Sequence, residues 1–346
     1  MTERLELDGV VTADEVQDTA DHLVELQADT GMIPWFRGGH CDPWNHVETA
    51  MALDVAGRHV AAEHAYEWLV NTQRPDGSWH AYYGADGSVE DDKIDTNVCA
   101  YVATGVWHHW RSTWDRGFAD NLWPTVERAL EFVLSTRRDD GLALWAVEAD
   151  GTRTWDYALL TGTASIQHAL RCGLALGEAL GESRPHWAEA AEVMCEAIRT
   201  RPDAFEPKTR WAMDWYYPVL TGAMTGDTAK ARMAEGWPNF AMEGLGIRCV
   251  NDEPWVTASE TAECALAYAS IGDTSTATEL LRWTRTHRTA DGSYWTGIVY
   301  PNQAPEIGDE PVLFPFDEHT SYTAAAVLLA VDAITRTTQA SGLFRR

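Results

Sequence analysis

Positive charge is scarce in this chain. Against 53 Asp and Glu it carries only 26 Lys and Arg, a formal net charge of −27 over 346 residues. That balance argues against nucleic acid, whose phosphates need a basic footprint, and against docking on an anionic membrane. Long apolar runs are also missing. No uncharged stretch reaches the roughly 18 residues that a membrane-spanning helix needs, and the opening Met1-Thr-Glu-Arg-Leu-Glu-Leu-Asp8 has no apolar signal core, so no export signal is expected. Cysteine is sparse. Cys41, Cys99, Cys172, Cys195, Cys249 and Cys264 form no Cys-x-x-Cys pair, so the pattern reads as reduced structural thiols of a cytoplasmic protein. No Gly-x-Ser-x-Gly elbow and no glycine-rich phosphate loop occurs, which sets aside nucleophilic serine and nucleotide chemistry.

What the chain has in excess is tryptophan, 17 residues of it, and much of it follows a recurring punctuation. Gln27-Ala-Asp-Thr-Gly31 leads to Trp35, and Gln73-Arg-Pro-Asp76-Gly77-Ser to Trp79. Arg137-Arg-Asp-Asp140-Gly141 leads to Trp145, and Arg288-Thr-Ala-Asp291-Gly292-Ser-Tyr to Trp295. Weaker copies run from Arg201-Pro-Asp203 to Trp211 and from Trp237 to Trp255. The repeat length is roughly 45 to 65 residues, which makes about six units.

Each unit opens with an amphipathic stretch: Ala13–Leu26, Val60–Asn71, Pro124–Thr136, Trp187–Thr200, Thr274–His287. Apolar residues three to four apart, with charges between them, predict helices with one wet face. The Asp-Gly turn follows, where glycine ends a helix at φ > 0. A second segment, rich in Ala and aromatics and nearly free of Lys and Glu, comes next: His46–Ala56, Thr96–Trp110, Tyr157–Leu180, Trp215–Met224, Ser259–Ile271 and His319–Ile334. Helices apolar all round are buried ones. Wet and buried helices in alternation predict an all-α fold, an (α/α)6 toroid of six inner and six outer helices, as one domain over residues 1–346. Strand signals are weak, and Thr296–Pro315 reads as a lid-like loop.

Polar residues concentrate just before the buried helices. They read Asp42-Pro-Trp44-Asn45-His46-Val-Glu48, then Asp92-Lys-Ile-Asp95, then Trp155-Asp156-Tyr157; the later three are Asp214-Trp215-Tyr216-Tyr217, Trp255-Val-Thr-Ala-Ser259-Glu260 and Asp317-Glu318-His319-Thr-Ser321-Tyr322. Helix capping accounts for any one of these acids. It does not account for the indoles and imidazoles at the same level. Carboxylates beside aromatic faces suit a neutral, polyhydroxylated ligand, an oligo- or polysaccharide. Trp44, His46, Glu48, Asp156, Trp215, Tyr216, Trp255, His319 and Tyr322 are therefore the expected substrate contacts. Aligning Glu48–Gly57 on Glu263–Gly272 puts Asn45, Asp95, Glu260 and His319 on one layer, with Glu48 and Glu263 a turn deeper.

Glycoside hydrolysis needs two carboxylates, one protonated and one ionised, about 6.5–9.5 Å apart when the anomeric centre inverts. The candidates are Glu260 as general acid and Asp42 or Asp95 as base, with Asp214 a further choice. Metal is the rival chemistry, since His40, Cys41, Asp42 and His46 lie close in sequence and His108-His109 form a pair. Neither has established zinc spacing, and adjacent histidines on a helix are not expected to face one site. No metal and no cofactor is expected.

The Gln/Arg-x-x-Asp-Gly-x-Trp turns resemble the repeats of the prenyltransferase and squalene-cyclase superfamily, which implies the α/α toroid. Phe316-Asp-Glu-His319-Thr-Ser-Tyr322 is similar to the segment around the zinc-binding histidine of prenyltransferase β-subunits. Asp214-Trp215-Tyr216-Tyr217 stands where that family has an Asp-x-Cys-Tyr zinc pair, with tyrosine in the thiolate's place; the cyclases' Asp-x-Asp-Asp motif is absent, Glu90-Asp91-Asp92 being the nearest run. The resemblance therefore carries the fold but neither isoprenoid chemistry. The same toroid carries many glycosidases, including mostly inverting α-mannosidase families, and the acidic, Trp-lined mouth looks more like theirs. A cytoplasmic protein of this kind is similar to endo-acting α-mannosidases that trim intracellular polysaccharide. The alternatives are a terpene cyclase or prenyltransferase-like enzyme, and a non-catalytic glycan-binding toroid.

Overall fold

A computed structural model of the chain describes residues 4–301 and 310–345. Twelve α-helices run through the described residues: α1 (Ala13–Leu26), α2 (Pro43–Val55), α3 (His59–Thr72), α4 (Thr96–Thr113), α5 (Arg116–Ser135), α6 (Leu160–Leu180), α7 (Pro185–Thr200), α8 (Ala212–Leu220), α9 (Gly226–Phe240), α10 (Ala258–Ser270), α11 (Thr274–Trp283) and α12 (Ser321–Thr335). Short strands sit between them: β1 (Tyr82–Tyr83), β2 (Val89–Asp91), β3 (Ile94–Asp95), β4 (Ala146–Val147), β5 (Ala241–Met242), β6 (Gly246–Arg248), β7 (Trp255–Thr257), β8 (Gly297–Val299) and β9 (Val312–Leu313).

The expected alternation is present. Helices α4, α6, α8, α10 and α12 are buried nearly all round, whereas α1, α5, α7 and α11 bury one stripe each. Two boundaries differ from the periodicity. Helix α5 begins eight residues before Pro124, because Asp115 caps it by accepting the Phe118 N–H; the proline is carried inside the helix. Helix α9 has Gly236 and Pro238 in its last turns, which hid it in the sequence.

The chain divides into two compact units. Residues 27–54 and 59–207 form one, in which α4 packs on α3, α5 and α6, and α6 packs on α7. The other comprises residues 1–26, 55–58 and 208–346; there α10 packs on α8, α11 and α12, and α12 also meets α1. Strands β5 to β9 form a five-stranded antiparallel sheet in the second unit. The sequence showed little sign of it because its strands have only two or three residues. Within the expected lid-like stretch, β8 and β9 pair with each other; residues 302–309 of that stretch lie outside the described residues.

The Asp-Gly turns tie neighbouring hairpins together, which explains their recurrence. Gln73 Nε2 donates to the carbonyl of Gly77 in its own turn at 3.0 Å and to Thr125 of α5 at 2.9 Å. Gln27 does the same with Gly31 and with Ala61 of α3, both at 3.0 Å. The glycines are pressed against that next helix. At Gly77, φ is +96° and a Cβ would stand 2.3 Å from the Arg128 carbonyl oxygen; at Gly31 it would stand 2.1 Å from that of His64. No side chain fits there.

Candidate active site

In the first unit the site begins at the N-terminus of α2. Asp42 is its N-cap: Oδ1 accepts the Asn45 N–H at 3.0 Å, and Pro43 occupies the first helical position. Capping thus holds for Asp42, but it uses one oxygen. Oδ2 accepts the Trp35 indole N–H and the Asn45 amide, both at 2.6 Å. Burial raises this carboxyl above its ordinary range, and the three donors only partly offset it. Around it stand half-buried rings, Trp35, His40 and Tyr82, in edge contacts of 4.4 to 6.0 Å.

A second acid in this unit is Asp95, at the end of β3, where it pairs with Ala146 of β4 and serves as N-cap residue of α4. Its Oδ1 is buried without a hydrogen-bond partner. Burial pushes its carboxyl up to about 6, against the opposing pull of the Lys93 ammonium. Trp145, adjacent to Ala146, stacks on Tyr157 with centroids 5.6 Å apart, while Lys93 Nζ lies 4.7 Å from its ring and 5.9 Å from that of Trp155. These rings are half-buried, and Asp156 is exposed.

In the second unit β7 runs straight into α10. Thr257 is the N-cap residue and Glu260 the third residue of the helix, an arrangement in which a glutamate reaches back over the helix start. The hydroxyls of Thr257 and Ser259 both donate to Glu260 Oε2. One turn on, Glu263 Oε2 accepts the hydroxyl of Tyr216 from α8. Tyr216 is fully buried, and burial, with the charges of Glu263 and Glu260, raises its phenol. The Cys249 thiol is raised too, by burial and by the nearby Glu260. His319 Nδ1 is 2.7 Å from the Ser293 hydroxyl, its ring edge-on to Trp295 at 3.9 Å, and burial lowers its imidazole.

The other expected contacts range from buried to half-buried. His46 is 1% exposed, with Nδ1 accepting the Ile33 N–H and Nε2 bonded to the Ala65 carbonyl; burial holds it neutral, its imidazole down to about 4. Trp44 stacks flat on Tyr101 at 4.6 Å, and Trp215 on Phe240 at 5.4 Å, both buried. Glu48 and Asp214 are buried as well, and the Asp214 carbonyl accepts from Arg232. Trp255 donates its indole N–H to the Phe314 carbonyl at 3.0 Å, and Tyr322 is half-buried in the first turn of α12.

The structure also corrects the layer alignment. Asn45 and Glu260 are equivalent, each the third residue of its helix, but Asp95 sits at the N-cap like Asp42, and His319 lies before α12 begins. Among the half-open indoles are Trp35, Trp145 and Trp295. The sequence marks all three, since each follows an Asp-Gly or Thr-Gly turn, but there they read as punctuation of the repeat.

Among the described residues no group of three or more His, Cys, Asp or Glu side chains is arranged to hold a metal ion. Contrary to expectation, the adjacent His108 and His109 do approach one group. Their Nδ1 atoms lie 3.8 and 3.0 Å from Asp54 Oδ2, because long imidazole arms from neighbouring positions can converge on a buried carboxylate. None of the six cysteines is in a disulfide and all are buried, and no described helix is long and apolar enough to cross a membrane.

No protein-family model matches the chain. Solved structures do: a glycosidase bound to glucose superposes with a TM-score of 0.72 over 94% of this chain and 97% of its own, at 14% identity. A D-mannose isomerase superposes with a TM-score of 0.67 over 92% and 96%, at 13% identity. These likenesses give the all-α, (α/α)6 toroid fold class; the kinship with prenyltransferases and cyclases is not shown by them. Among characterised proteins, the MMP endo-(1,4)-3-O-methyl-alpha-D-mannosidase of Mycolicibacterium hassiacum is 48% identical over 337 residues, 97% of this chain and 90% of that one. On that likeness the chain belongs to the glycoside hydrolase family of this endomannosidase.

Proposed function

We propose that the protein cleaves internal α-(1,4) bonds of a 3-O-methylated mannan with inversion, Glu260 acting as general acid and Asp42 as general base. The observation that carries the assignment is the clamp on Asp42. A buried carboxylate with one oxygen on a helix N-terminus and the other on two N–H donors is fixed in orientation, and those donors oppose the burial that raises it. It takes a proton from the attacking water while the water oxygen bonds to the anomeric carbon. The glycosidic C–O bond breaks, and the departing oxygen receives the Glu260 proton. With both hydroxyl donors converging on Glu260 Oε2, the transferable proton is assigned to Oε1. The relative's name supplies the substrate class, and methyl ethers suit half-open indoles, since each replaces a hydroxyl by apolar surface. Buried thiols outside any disulfide suit a reducing, cytoplasmic setting.

Asp95 is the second candidate base, favoured by its buried, unpartnered Oδ1. Product analysis by proton NMR on 3-O-methyl-mannose oligomers tests the scheme. The first-formed reducing end should be the β-anomer, and D42N and E260Q should each lower kcat by about a thousandfold or more while changing oligomer Kd only a few fold. An α-anomer would overturn inversion. Full activity in D42N with loss in D95N would move the base to Asp95.

A further inference from the structure

A second meeting of indoles and carboxylates lies near the ends of α9 and α11, on side chains other than the candidate catalytic acids. Trp237 near the end of α9, Trp283 at the end of α11 and Glu243 after β5 line a cavity of about 650 Å³ together with Thr278, Glu279 and Arg282. Both indoles are only half-buried. Their orientation is nevertheless fixed. Trp283 Nε1 donates to Glu279 Oε1 at 3.0 Å, and Glu279 is itself paired with Arg282. Trp237 meets the ring of Tyr268 in α10 edge-on at 5.8 Å. The two indole centroids are 6.2 Å apart and the planes are inclined by 48°.

Rings held by their own neighbours lose little freedom when a ligand settles on them. Two inclined aromatic faces with hydroxyl, carboxylate and guanidinium groups at the rim match a neutral sugar chain: C–H and methyl surface lies on the rings, and ring hydroxyls reach the polar rim. Phosphorylated or acidic ligands are disfavoured by Glu243 and Glu279 and by the chain's net charge of −27. None of these side chains takes part in the Asp-Gly turns or the catalytic scheme.

We infer that this cavity is a second carbohydrate-binding site, which holds a segment of the same 3-O-methylated mannan chain away from the bond being cut; the inference rests on the substrate proposed above. Its use is to an enzyme acting within a polymer, because a chain tethered at one site is presented to the other at raised effective concentration.

The test compares a 3-O-methyl-mannose tetramer with the full-length methylated polysaccharide. W283A should raise KM for the polysaccharide about fivefold or more, and leave kcat and the tetramer KM unchanged. E243R, which fills the cavity from an exposed turn, should do the same and keeps the test standing if W283A is unstable. Calorimetric titration of D42N with the tetramer should show two sites per chain, and of D42N/W283A one. Wild-type cleavage of both substrates with no polymer-specific effect in either variant overturns this inference alone. Failure of the wild type to cleave either overturns the substrate reading and this inference with it. A concentration-dependent dimer in sedimentation that E243R abolishes would assign the rings to a second copy of the chain and overturn the sugar site.

Discussion

The indole N–H of Trp35 donates to Asp42 Oδ2 at 2.6 Å, so a residue set four positions after a turn glycine controls the charge of a buried acid. That bond opposes the burial that raises Asp42. Trp35→Phe removes it while keeping an aromatic face, so the Asp42 carboxyl should rise further. A base that must be ionised then becomes competent only at higher pH. The acid limb of the kcat/KM profile should move upward by about half a unit to one unit, with kcat/KM at low pH down about tenfold. A profile that falls uniformly without moving would show that Trp35 only packs.

Asp95 gives a pH signature in stability. Its carboxyl is raised from 3.8 to about 6. Below pH 3.8 it is protonated in both folded and unfolded chains. Between about pH 4 and 6 the unfolded chain has released the proton and the folded chain still holds it, so native stability falls as pH rises across that window and levels off above it. Denaturant melts of wild type and D95N through this range should show the Asn variant gaining relative stability with pH. Parallel curves would mean that the carboxyl titrates normally.

Gly77 should not tolerate a side chain. Alanine there meets the Arg128 carbonyl at 2.3 Å with φ at +96°, and G77A is expected to cost about 2–4 kcal/mol in chemical denaturation. Gly87, with φ +80° and nothing within 4 Å of a Cβ, provides the control. G87A should cost only about 1 kcal/mol, the left-handed strain alone.

Tyr216→Phe separates structure from substrate contact. The phenol is buried and donates to Glu263, so its loss should cost about 1–3 kcal/mol of stability and leave KM within twofold. A large KM change with unchanged melting would return Tyr216 to the substrate.

How much of this the sequence carries depends on the kind of signal. Ala13–Leu26 was readable to the residue as α1, because a one-sided helix writes its period into the chain. The N-terminal level of the acids was readable too, since Asp42 and Glu260 each sit beside a recognisable helix start. What the sequence could not give was ring exposure. Trp44 and Trp35 are both near Asp42 in the chain, yet one is stacked away on Tyr101 and the other left half-open, a difference set by partners distant in sequence. The Trp35 hydrogen bond, the Tyr216–Glu263 pair and the unpartnered Asp95 oxygen are likewise tertiary facts that no spacing announces.

The turns have one more consequence, for redesign. Their glycines act as a clamp against the next helix, while the residues that follow act as a pointer that ends in a ring: Gly31 to Trp35, and Gly141 to Trp145. A pointer can be lengthened without loosening the clamp. One added residue advances an extended chain by about 3.3 Å and turns the ring to the opposite face; two restore the face with a longer reach. If these rings line the proposed substrate path, its width is adjustable in steps of two residues, and the helices beneath need not change.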